Sequence, residues 1–277
     1  MEELAAEKKL SDAEYLLHRR FDRIARLVGE PAMVKLRQSR VVVMGLGGVG
    51  SFAAESLARS GVGQLSLVDF DRVCVTNVNR QLHALKGNFG KPKAELIAER
   101  VRLINPDVVA EGIEEFYREE TSQRLLDGQV DYVVDAIDQI TAKCYLINAC
   151  HQRGIPVVSS MGAGARLDPT QIKVADLNLT HHDPLAAEVR KILRQKYDFS
   201  SGKEPWGIDA VFSDEPIRLP QPLTYDQGAG FRCVCPHGSN EFLTCDKRAR
   251  IDGTASFVTG GFGLAAASVV VRGLIEA

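Results

Sequence analysis

The first residues with a recognisable chemistry are positions 45–50, which read Gly-Leu-Gly-Gly-Val-Gly. Glycines let a backbone turn sharply and approach a phosphate closely, and the free N–H groups at the beginning of a helix attract anions. This run lies between an apolar stretch, 40–44, and an amphipathic stretch, 51–59, which is the pattern strand, loop, helix. Asp69 ends the next apolar stretch, where a ribose-binding acid belongs. The pattern predicts nucleotide binding but leaves ATP, NAD and a turn that binds nothing all open.

A polar segment after the second predicted strand favours ATP. Asn77, Arg80 and Gln81 lie in this segment, and Lys93 begins a predicted helix a few residues later. If the fold brings them to the glycine loop, Arg80 and Lys93 offset the charge of a triphosphate and the charge that develops as it is displaced. A nicotinamide site requires no such cations. We therefore expect ATP, and keep an NAD-binding oxidoreductase and a nucleotide-sensing module without turnover as alternatives.

Acidic residues near the predicted strand ends supply the expected metal ligand. Asp138 follows a predicted strand at 132–135, and Asp71 follows Asp69 after the second strand. The carboxyl ends of parallel strands meet at one edge of a sheet, where ligands bind. A carboxylate there holds Mg²⁺ against phosphate oxygens. The structural alternatives are Asp138 as the N-cap of the next helix, and Asp69 and Asp71 as residues that cap turns.

The elements that must position these residues alternate along the chain. A capping box at 11–14 begins a helix that we expect to end at 29–31. Strands are predicted at 40–44, 64–69, 132–135, 155–159 and 171–177, and helices at 51–59, 92–104, 141–152 and 184–195. This alternation predicts an α/β fold with a Rossmann-like doubly wound sheet, mostly parallel and flanked by helices, with antiparallel strands in the C-terminal part.

The composition restricts the class of protein. A formal net charge of −2 over 277 residues argues against a broadly basic nucleic-acid binder, although basic clusters occur at 190–196 and 247–250. The six cysteines are sparse and fit reduced thiols in a cytosolic protein. The charged N-terminus does not look like a secretory signal. The apolar stretch 255–271 is short of a membrane span, and we interpret it as a buried strand or helix under the sheet.

Five motifs in order resemble the ubiquitin-activating-enzyme-like superfamily of adenylating enzymes, which includes ThiF, MoeB and HesA proteins. They are GLGGVG (45–50), DFD (69–71), TNVNRQ (76–81), GKPKAE (90–95) and DAID (135–138). Within the superfamily the chain is similar to the tRNA threonylcarbamoyladenosine dehydratases, through stretches at 69–85, 104–107, 162–177, 183–186 and 209–216. The resemblance implies one ATP-binding adenylating domain over 1–277, with an N-terminal helix at 11–30, a nucleotide-binding core at 40–160, and substrate-side and C-terminal elements at 161–277.

The resemblance also implies a reaction and a set of site residues. ATP adenylates the carboxylate of a threonylcarbamoyl group on a tRNA adenosine, and the carbamoyl group then displaces AMP and closes a ring. The implied catalytic residues are Arg23, Arg80, Lys93 and Asp138, with Asp138 as the Mg²⁺ ligand and Arg23 reaching the partner subunit's ATP site. The implied ATP-binding residues are Gly45, Gly47, Gly48, Gly50, Asp69, Asp71, Asn77, Arg80, Gln81, Lys93 and Asp138.

The expected partners are a tRNA carrying threonylcarbamoyladenosine, a second copy in a homodimer and a protein linked to a cysteine desulfurase. A cytoplasmic location is expected, and a membrane is not. The alternative within the superfamily is adenylation of the C-terminus of a sulfur-carrier or ubiquitin-like protein. Relatives of that kind often carry paired CxxC zinc motifs, whereas this chain has Cys233, Cys235, Cys245 and His237 in a different spacing. We interpret 226–250 as an insertion without zinc.

Overall fold

A computed structural model describes residues 11–223 and 251–276, and the single positions 225 and 234 between them. The sequence-based predictions for Cys233, Cys235, Cys245 and His237, and for the basic cluster 247–250, lie outside the described residues. These predictions therefore remain as stated.

The helices and strands follow the predicted alternation. In chain order they are α1 (Asp12–Arg20), α2 (Asp22–Val28), α3 (Glu30–Gln38), β1 (Arg40–Met44), α4 (Gly50–Arg59), β2 (Gln64–Val68), α5 (Lys93–Ile104), β3 (Val109–Ile113), α6 (Glu119–Leu125), β4 (Tyr132–Asp135), α7 (Ile140–Arg153), β5 (Val157–Ser160), β6 (Ile172–Asp176), α8 (Pro184–Lys196), β7 (Asp209–Ser213) and α9 (Ser256–Glu276). Short 3-10 turns lie at Val75–Asn77, Pro169–Gln171 and Leu177–Leu179.

The sheet has seven strands in the order β3-β2-β1-β4-β5-β7-β6. Every neighbouring pair is parallel except β6 and β7, which are antiparallel. Along β1, Val41 and Val43 pack into the apolar cluster formed with α4, α5 and α9, whereas Val42 and Met44 pack into the cluster formed with α6, α7 and α8. Strands buried on both faces are expected to be continuous apolar runs, which is why β1 could be predicted. The predicted fold class is confirmed.

The N-terminal helix differs from its prediction. The Ser11 capping box is present, but the helix breaks at the buried Phe21 into α1 and α2. Gly29, with φ of 85°, ends α2, and α3 begins at the next residue with Pro31 in its first turn. The prediction of one helix over this range was therefore wrong in its continuity, and α3, β3 and α6 were not predicted.

The apolar stretch near the C-terminus forms α9, which packs against α4. Glycines allow the close approach, since a Cβ at Gly263 would lie 2.3 Å from Val49 O and one at Gly260 would lie 3.1 Å from the Phe52 ring. By length and composition α9 is apolar enough to cross a membrane, yet 56% of its most apolar 18 residues are buried inside the protein. Its packing is that of a core helix.

Candidate active site

The glycine loop leaves the sheet at the point where the strand order reverses direction. β1 is flanked by β2 on one side and β4 on the other, and the chain returns to β4 only after β3. Gly45 N–H donates to Val68 O at 2.8 Å, and Ala136 N–H donates to Met44 O at 2.8 Å, so the loops after β1, β2 and β4 begin side by side. In open α/β sheets this crevice is where ligands bind.

Three glycines of the loop are required by the fold. Gly45 has φ of 86°, and a Cβ there would lie 2.7 Å from Ala136 O. A Cβ at Gly50 would lie 1.7 Å from Gly45 O, and one at Gly48 would lie 2.9 Å from Thr259 Oγ1 on α9. A side chain at any of the three positions would overlap a neighbouring atom, so the packing of the protein explains glycine there without a ligand.

Gly47 is different because the fold leaves room for a side chain. Its Cβ would meet no described atom closer than the Gln81 Nε2 at 3.7 Å, and its φ lies outside the left-handed region. The packing of the protein does not require glycine here, and the close approach of a ligand remains the role predicted for Gly47.

Gly47→Ala separates these two requirements. We expect a thermal midpoint within about 2 °C of the wild type, because the added methyl group meets only ordinary contacts. We expect ATP affinity in isothermal titration to fall about tenfold or more, the loss of one hydrogen bond to a charged phosphate. Gly45→Ala is the matched control that destabilises the fold. Unchanged ATP affinity in Gly47→Ala would remove this position from the nucleotide site.

Asp69 holds the backbone of the glycine loop from the end of β2. Its Oδ2 accepts from Leu46 N–H at 2.6 Å, and its Oδ1 accepts from Asp71 N–H at 2.8 Å. Burial raises the pKa of Asp69, an effect that the nearby ammonium of Lys93 opposes. Both oxygens are thus already used by backbone donors, and the predicted role of Asp69 in binding ribose relies on their remaining lone pairs.

Lys93 places a buried ammonium group among the acidic side chains of the site. It is the first residue of α5, its side chain is 6% exposed, and its Nζ donates to Asp71 Oδ2 at 2.8 Å. Burial opposes the ammonium form, but Asp69, Asp71 and Asp138 outweigh burial and hold the pKa of Lys93 above its ordinary value. The amine is therefore a cation at neutral pH. The structure brings together Lys93 and the three acids that the sequence predicted at this edge.

Arg80 and Gln81 border the glycine loop on its outer side. The Arg80 Cγ lies 3.2 Å from the Cβ position of Gly48, and Arg80 Nη1 donates to Thr76 O at 3.1 Å and to Asn79 Oδ1 at 2.9 Å. Gln81 is buried, and its Oε1 has no hydrogen-bond partner in the part of the chain that the structure describes. An orphaned buried oxygen beside Gly47 is consistent with a group that binds in the crevice.

The side chain of Asn77 stabilises the turn in which it lies. Its Oδ1 accepts from Cys74 N–H at 2.9 Å and thereby closes the 3-10 turn at Val75–Asn77. The side chain is buried, so only its amide Nδ2 remains for the phosphate contact predicted from the sequence. That contact stays a prediction.

Asp138 is exposed at the end of the turn after β4. The N-cap of α7 is Gln139, whose Oε1 accepts from Ala142 N–H at 2.5 Å, so the alternative role of Asp138 as this N-cap was wrong. Asp138 belongs to no cluster of three His, Cys, Asp or Glu ligands among the described residues. One carboxylate fits Mg²⁺, which in nucleotide sites is held by one or two carboxylates, phosphate oxygens and water.

Asp138→Asn tests this assignment. We expect the Mg²⁺ concentration that gives half-maximal AMP formation to rise about tenfold or more, because the amide oxygen carries no charge for the ion. Asp127→Asn, at an exposed carboxylate after α6, is the matched control and is expected to leave the Mg²⁺ dependence unchanged. A wild-type Mg²⁺ profile in Asp138→Asn would contradict the assignment.

A fully buried ion pair supports the turn that carries Asp138, and the sequence did not reveal it. Lys143 Nζ donates to Asp135 Oδ2 at 2.7 Å and to Ser160 O at 2.9 Å. Ser159 Oγ donates to the same carboxylate oxygen at 2.5 Å, and Ile137 N–H donates to the other at 3.1 Å. The network fixes the ends of β4 and β5 relative to α7. The DAID motif pointed to Asp135, but its buried partner eight residues later carried no sequence signal.

His83 is a second residue that sequence reasoning did not assign. Burial, followed by the charge of Lys93, lowers the pKa of His83 to about 3, so the imidazole is neutral at physiological pH. Within residues 11–223 and 251–276, neither ring nitrogen has a hydrogen-bond partner. The only signal available was its place in the NRQLHAL stretch directly after Arg80 and Gln81.

Arg23 is not brought to this site within the chain. It is exposed on α2, which follows Phe21. Phe21 lies at the amino-terminal ends of the parallel strands, away from the nucleotide crevice. The Phe21 ring lies 3.6 Å from the Cβ position of Gly61, in the turn before β2, and Arg20 Nη1 donates to Ile104 O at the end of α5. Any contact of Arg23 with a nucleotide therefore requires a second copy of the chain.

Three basic side chains of the cluster on α8 already have partners within the protein. Arg194 Nη2 donates to Asn178 Oδ1 at 2.6 Å, and its guanidinium lies 5.2 Å from the centroid of Trp206. Arg190 contacts Thr180 Oγ1, and Lys191 pairs with Glu188 at 3.2 Å. These side chains stabilise the packing of α8, so they form a weaker phosphate-binding face than the sequence alone suggests.

A glycine loop at the switch point of a parallel sheet, with a buried lysine and acids beside it, defines a nucleotide-binding α/β protein. A family model described as the ThiF family matches residues 21–275. The chain belongs to the ThiF family, and the resemblance to this superfamily is confirmed.

Individual relatives match almost the whole chain. A tRNA threonylcarbamoyladenosine dehydratase of Haemophilus influenzae is 42% identical over 258 residues, which are 93% of this chain and 94% of that protein. One of Bacillus subtilis is 45% identical over 233 residues, 82% of this chain and 89% of that protein. The crystal structure of Escherichia coli tRNA N6-threonylcarbamoyladenosine dehydratase, TcdA, in complex with ATP has a TM-score of 0.81 and 38% identity, and the match covers 97% of this chain and 98% of that one.

Proposed function

We propose that this protein is an ATP-dependent tRNA threonylcarbamoyladenosine dehydratase. The observation that carries the proposal is the buried ammonium of Lys93, surrounded by Asp69, Asp71 and Asp138 beside the glycine loop. A fixed cation next to carboxylates suits a triphosphate and its metal ion and has no use in a nicotinamide site. Dehydratases that align with nearly the full chain, and the ATP complex of one of them, support the same assignment.

The chemistry needs positioning more than it needs a protein nucleophile. Lys93 and Arg80 offset the repulsion between the substrate carboxylate and the phosphates, so that a carboxylate oxygen attacks the α-phosphorus and pyrophosphate leaves. The carbamoyl group of the same nucleoside then attacks the activated carbonyl carbon. The oxygen bonded to phosphorus leaves with AMP, the carbamoyl group loses a proton, and the nucleoside has lost one water. Asp138 would hold Mg²⁺, which supplies neutralisation of phosphate charge.

We also propose a homodimer in which Arg23 reaches the partner subunit's nucleotide. Its support is the placement of Arg23 away from its own site and the exposed apolar side chains of Tyr15, Leu16 and Leu27 on α1 and α2.

Mixed dimers provide the test of Arg23. Arg23→Ala and Lys93→Met are each expected to be inactive, and co-expression of the two chains is expected to restore about a quarter of the wild-type active sites, since one site of each mixed C₂ dimer is then intact. Mixtures as inactive as either parent would show that Arg23 does not act across the dimer. Size-exclusion chromatography with light scattering provides the control for dimer formation.

The remaining partners and the location are proposed in the same way. Cys144 and Cys150 are buried thiols, which suits the reducing cytoplasm. The proposed substrate is a tRNA carrying threonylcarbamoyladenosine, and a cysteine-desulfurase-linked protein is kept as a partner to be tested by co-purification. The core packing of α9 supports a protein without a membrane partner.

The alternative substrate is the C-terminus of a small carrier protein. Enzymes of that kind often use a reactive cysteine, but burial raises the pKa of Cys144 to about 11 and that of Cys150 to about 12. Neither thiol is poised as a nucleophile.

Pyrophosphate exchange distinguishes the two substrates. Radiolabelled pyrophosphate is expected to enter ATP only when tRNA bearing threonylcarbamoyladenosine is present. Unmodified tRNA and a carrier-protein C-terminal peptide are the comparison substrates, and both are expected to give background exchange. Exchange that depends on the peptide rather than on the tRNA would establish the alternative.

A further inference from the structure

His181, His182 and Asp214 meet on the surface outside the nucleotide site. Each offers one ligand atom, and the three ligand atoms lie within 4.8 Å of one another. His181 Nε2 is 2.8 Å from Asp214 Oδ1, and His182 Nδ1 is 3.8 Å from the same oxygen. We propose that these three side chains form a binding site for a divalent transition-metal ion of the Zn²⁺ type, here called the His–His–Asp site. It is independent of the proposed dehydratase activity.

The two histidines are held in place by their neighbours. Thr180 Oγ1 donates to Leu177 O at 2.8 Å on one side, and Asp183 caps α8 on the other by accepting from Ala186 N–H at 3.0 Å. His182 itself has φ of 54°, a conformation that only a fixed local structure maintains in a non-glycine residue. The rings of His181 and the buried Phe212 pack edge to face with centroids 5.1 Å apart. The backbone that presents the rings is therefore preorganised.

Asp214 is also held in a fixed orientation by its neighbours. Its N–H donates to Gln171 O at 3.1 Å, which fixes the chain directly after β7. Its Oδ2 forms an ion pair with Lys173, whereas its Oδ1 is the oxygen nearest to both histidines. Carboxylate ligands of metals are commonly hydrogen-bonded through their second oxygen, and this bond orients the first. Lys173 provides such a bond.

The ligand set selects the class of ion. Two imidazoles and one carboxylate with an open fourth position are a Zn²⁺-type set, whereas Mg²⁺ prefers oxygen ligands. Ligand atoms around a tetrahedral Zn²⁺ lie about 3.3 Å apart, given bonds of about 2.0–2.1 Å. Binding an ion therefore requires His181 Nε2 and Asp214 Oδ1, now 2.8 Å apart, to separate by about 0.5 Å, and His182 Nδ1, now 3.8 Å from the same oxygen, to approach it by about 0.5 Å. The side chains of His181 and His182 are 50% and 71% exposed, so adjustments of this size meet little surrounding protein.

The His–His–Asp site lies at the same edge of the sheet as the nucleotide crevice. β7 is parallel to β5 and stands two strands away from β4, a separation of about 10 Å. Asp214 follows the carboxyl end of β7 just as Asp138 follows that of β4. The protein would thus carry two cation sites at one edge of the sheet, one that prefers Mg²⁺ and one that prefers a Zn²⁺-type ion.

The test is metal binding by full-length protein without a polyhistidine tag. A Cys233→Ser/Cys235→Ser/Cys245→Ser variant, stripped with a chelator, removes three thiols that would compete for the ion. We expect it to bind one Zn²⁺ per chain in isothermal titration, and to bind Co²⁺ with a visible spectrum typical of nitrogen and oxygen ligands. Adding His181→Gln and His182→Gln should weaken Zn²⁺ binding more than about 100-fold, since two of three protein ligands are lost.

Two histidine variants and competition with Mg²⁺ are the controls for Zn²⁺ binding. His18→Gln and His151→Gln, in the same thiol-free chain, are expected to retain Zn²⁺ binding, and a large excess of Mg²⁺ should not displace the ion. Circular dichroism of each variant confirms folding, and His182→Gln alone serves if the double variant does not fold. Absence of Zn²⁺ binding by the thiol-free chain, or binding unchanged in the His181/His182 variants, would overturn the proposal.

Discussion

Lys93→Met is expected to reduce AMP formation with modified tRNA about 1000-fold, the size of effect seen when one preorganised charge donor is removed from an active site. The substitution keeps an unbranched apolar stem in place of the buried side chain and removes its terminal ammonium group. Asp71, whose side chain is 39% exposed, can be rehydrated when its partner is lost, so we expect the protein to remain folded. Initial rates of AMP release, measured with saturating MgATP, provide the readout.

Lys91→Met is the matched control for this prediction. Lys91 lies two residues earlier and is exposed, and its Nζ donates to Asn88 Oδ1 at 3.4 Å. Its loss is expected to change the rate less than about twofold, as for an ordinary surface cation. Equal rates in Lys93→Met and the wild type would show that the buried ammonium serves the fold alone.

Lys143→Met is expected to have the largest effect on stability. It leaves the carboxylate of Asp135 fully buried without its counter-ion, and breaking a buried pair in this way costs about 3–5 kcal/mol of the free energy of unfolding. Because Asp135 also holds Ile137 N–H, the turn that carries Asp138 should loosen, and the Mg²⁺ dependence of any residual activity should shift. Urea denaturation followed by circular dichroism measures the loss.

Two further variants test whether the loss of stability in Lys143→Met comes from the unpaired buried charge. Asp135→Asn/Lys143→Met removes the buried charge, keeps the amide oxygen as acceptor for Ile137 N–H and turns the second group into a donor to Ser159 Oγ, so it should recover at least half of the lost stability, roughly 1.5–2.5 kcal/mol. Lys191→Met removes an exposed lysine from its pair with Glu188 and should cost less than about 0.5 kcal/mol. If Lys143→Met costs no more than Lys191→Met, the buried pair does not stabilise the fold.

The central strands could be predicted because burial on both faces makes them continuous apolar runs, as in β1 and β4. The edge strand β3 could not, since Glu111 and Gly112 interrupt its apolar pattern and Val109 is exposed. Helix α3 was missed because Gly29 and Pro31 are typical of a helix end. In the structure the same two residues end one helix and begin the next.

The site was predictable to the extent that parallel strands bring their carboxyl ends together. That rule placed Asp69, Lys93 and Asp138 at one edge. The rule does not predict how deeply a side chain is buried. The burial of Lys93 and the hydrogen bond by which Asn77 closes a backbone turn are therefore evident only in the folded structure. The roles of these residues in binding ATP stay predictions until variants are measured.

The most direct test of the proposed function is mass spectrometry of nucleosides from tRNA bearing threonylcarbamoyladenosine, after incubation with the protein and MgATP. We expect the modified nucleoside to lose the mass of one water while one AMP is released for each nucleoside converted, with neither change in Lys93→Met. An unchanged nucleoside with fully modified tRNA and active, folded protein would contradict the assignment as a dehydratase.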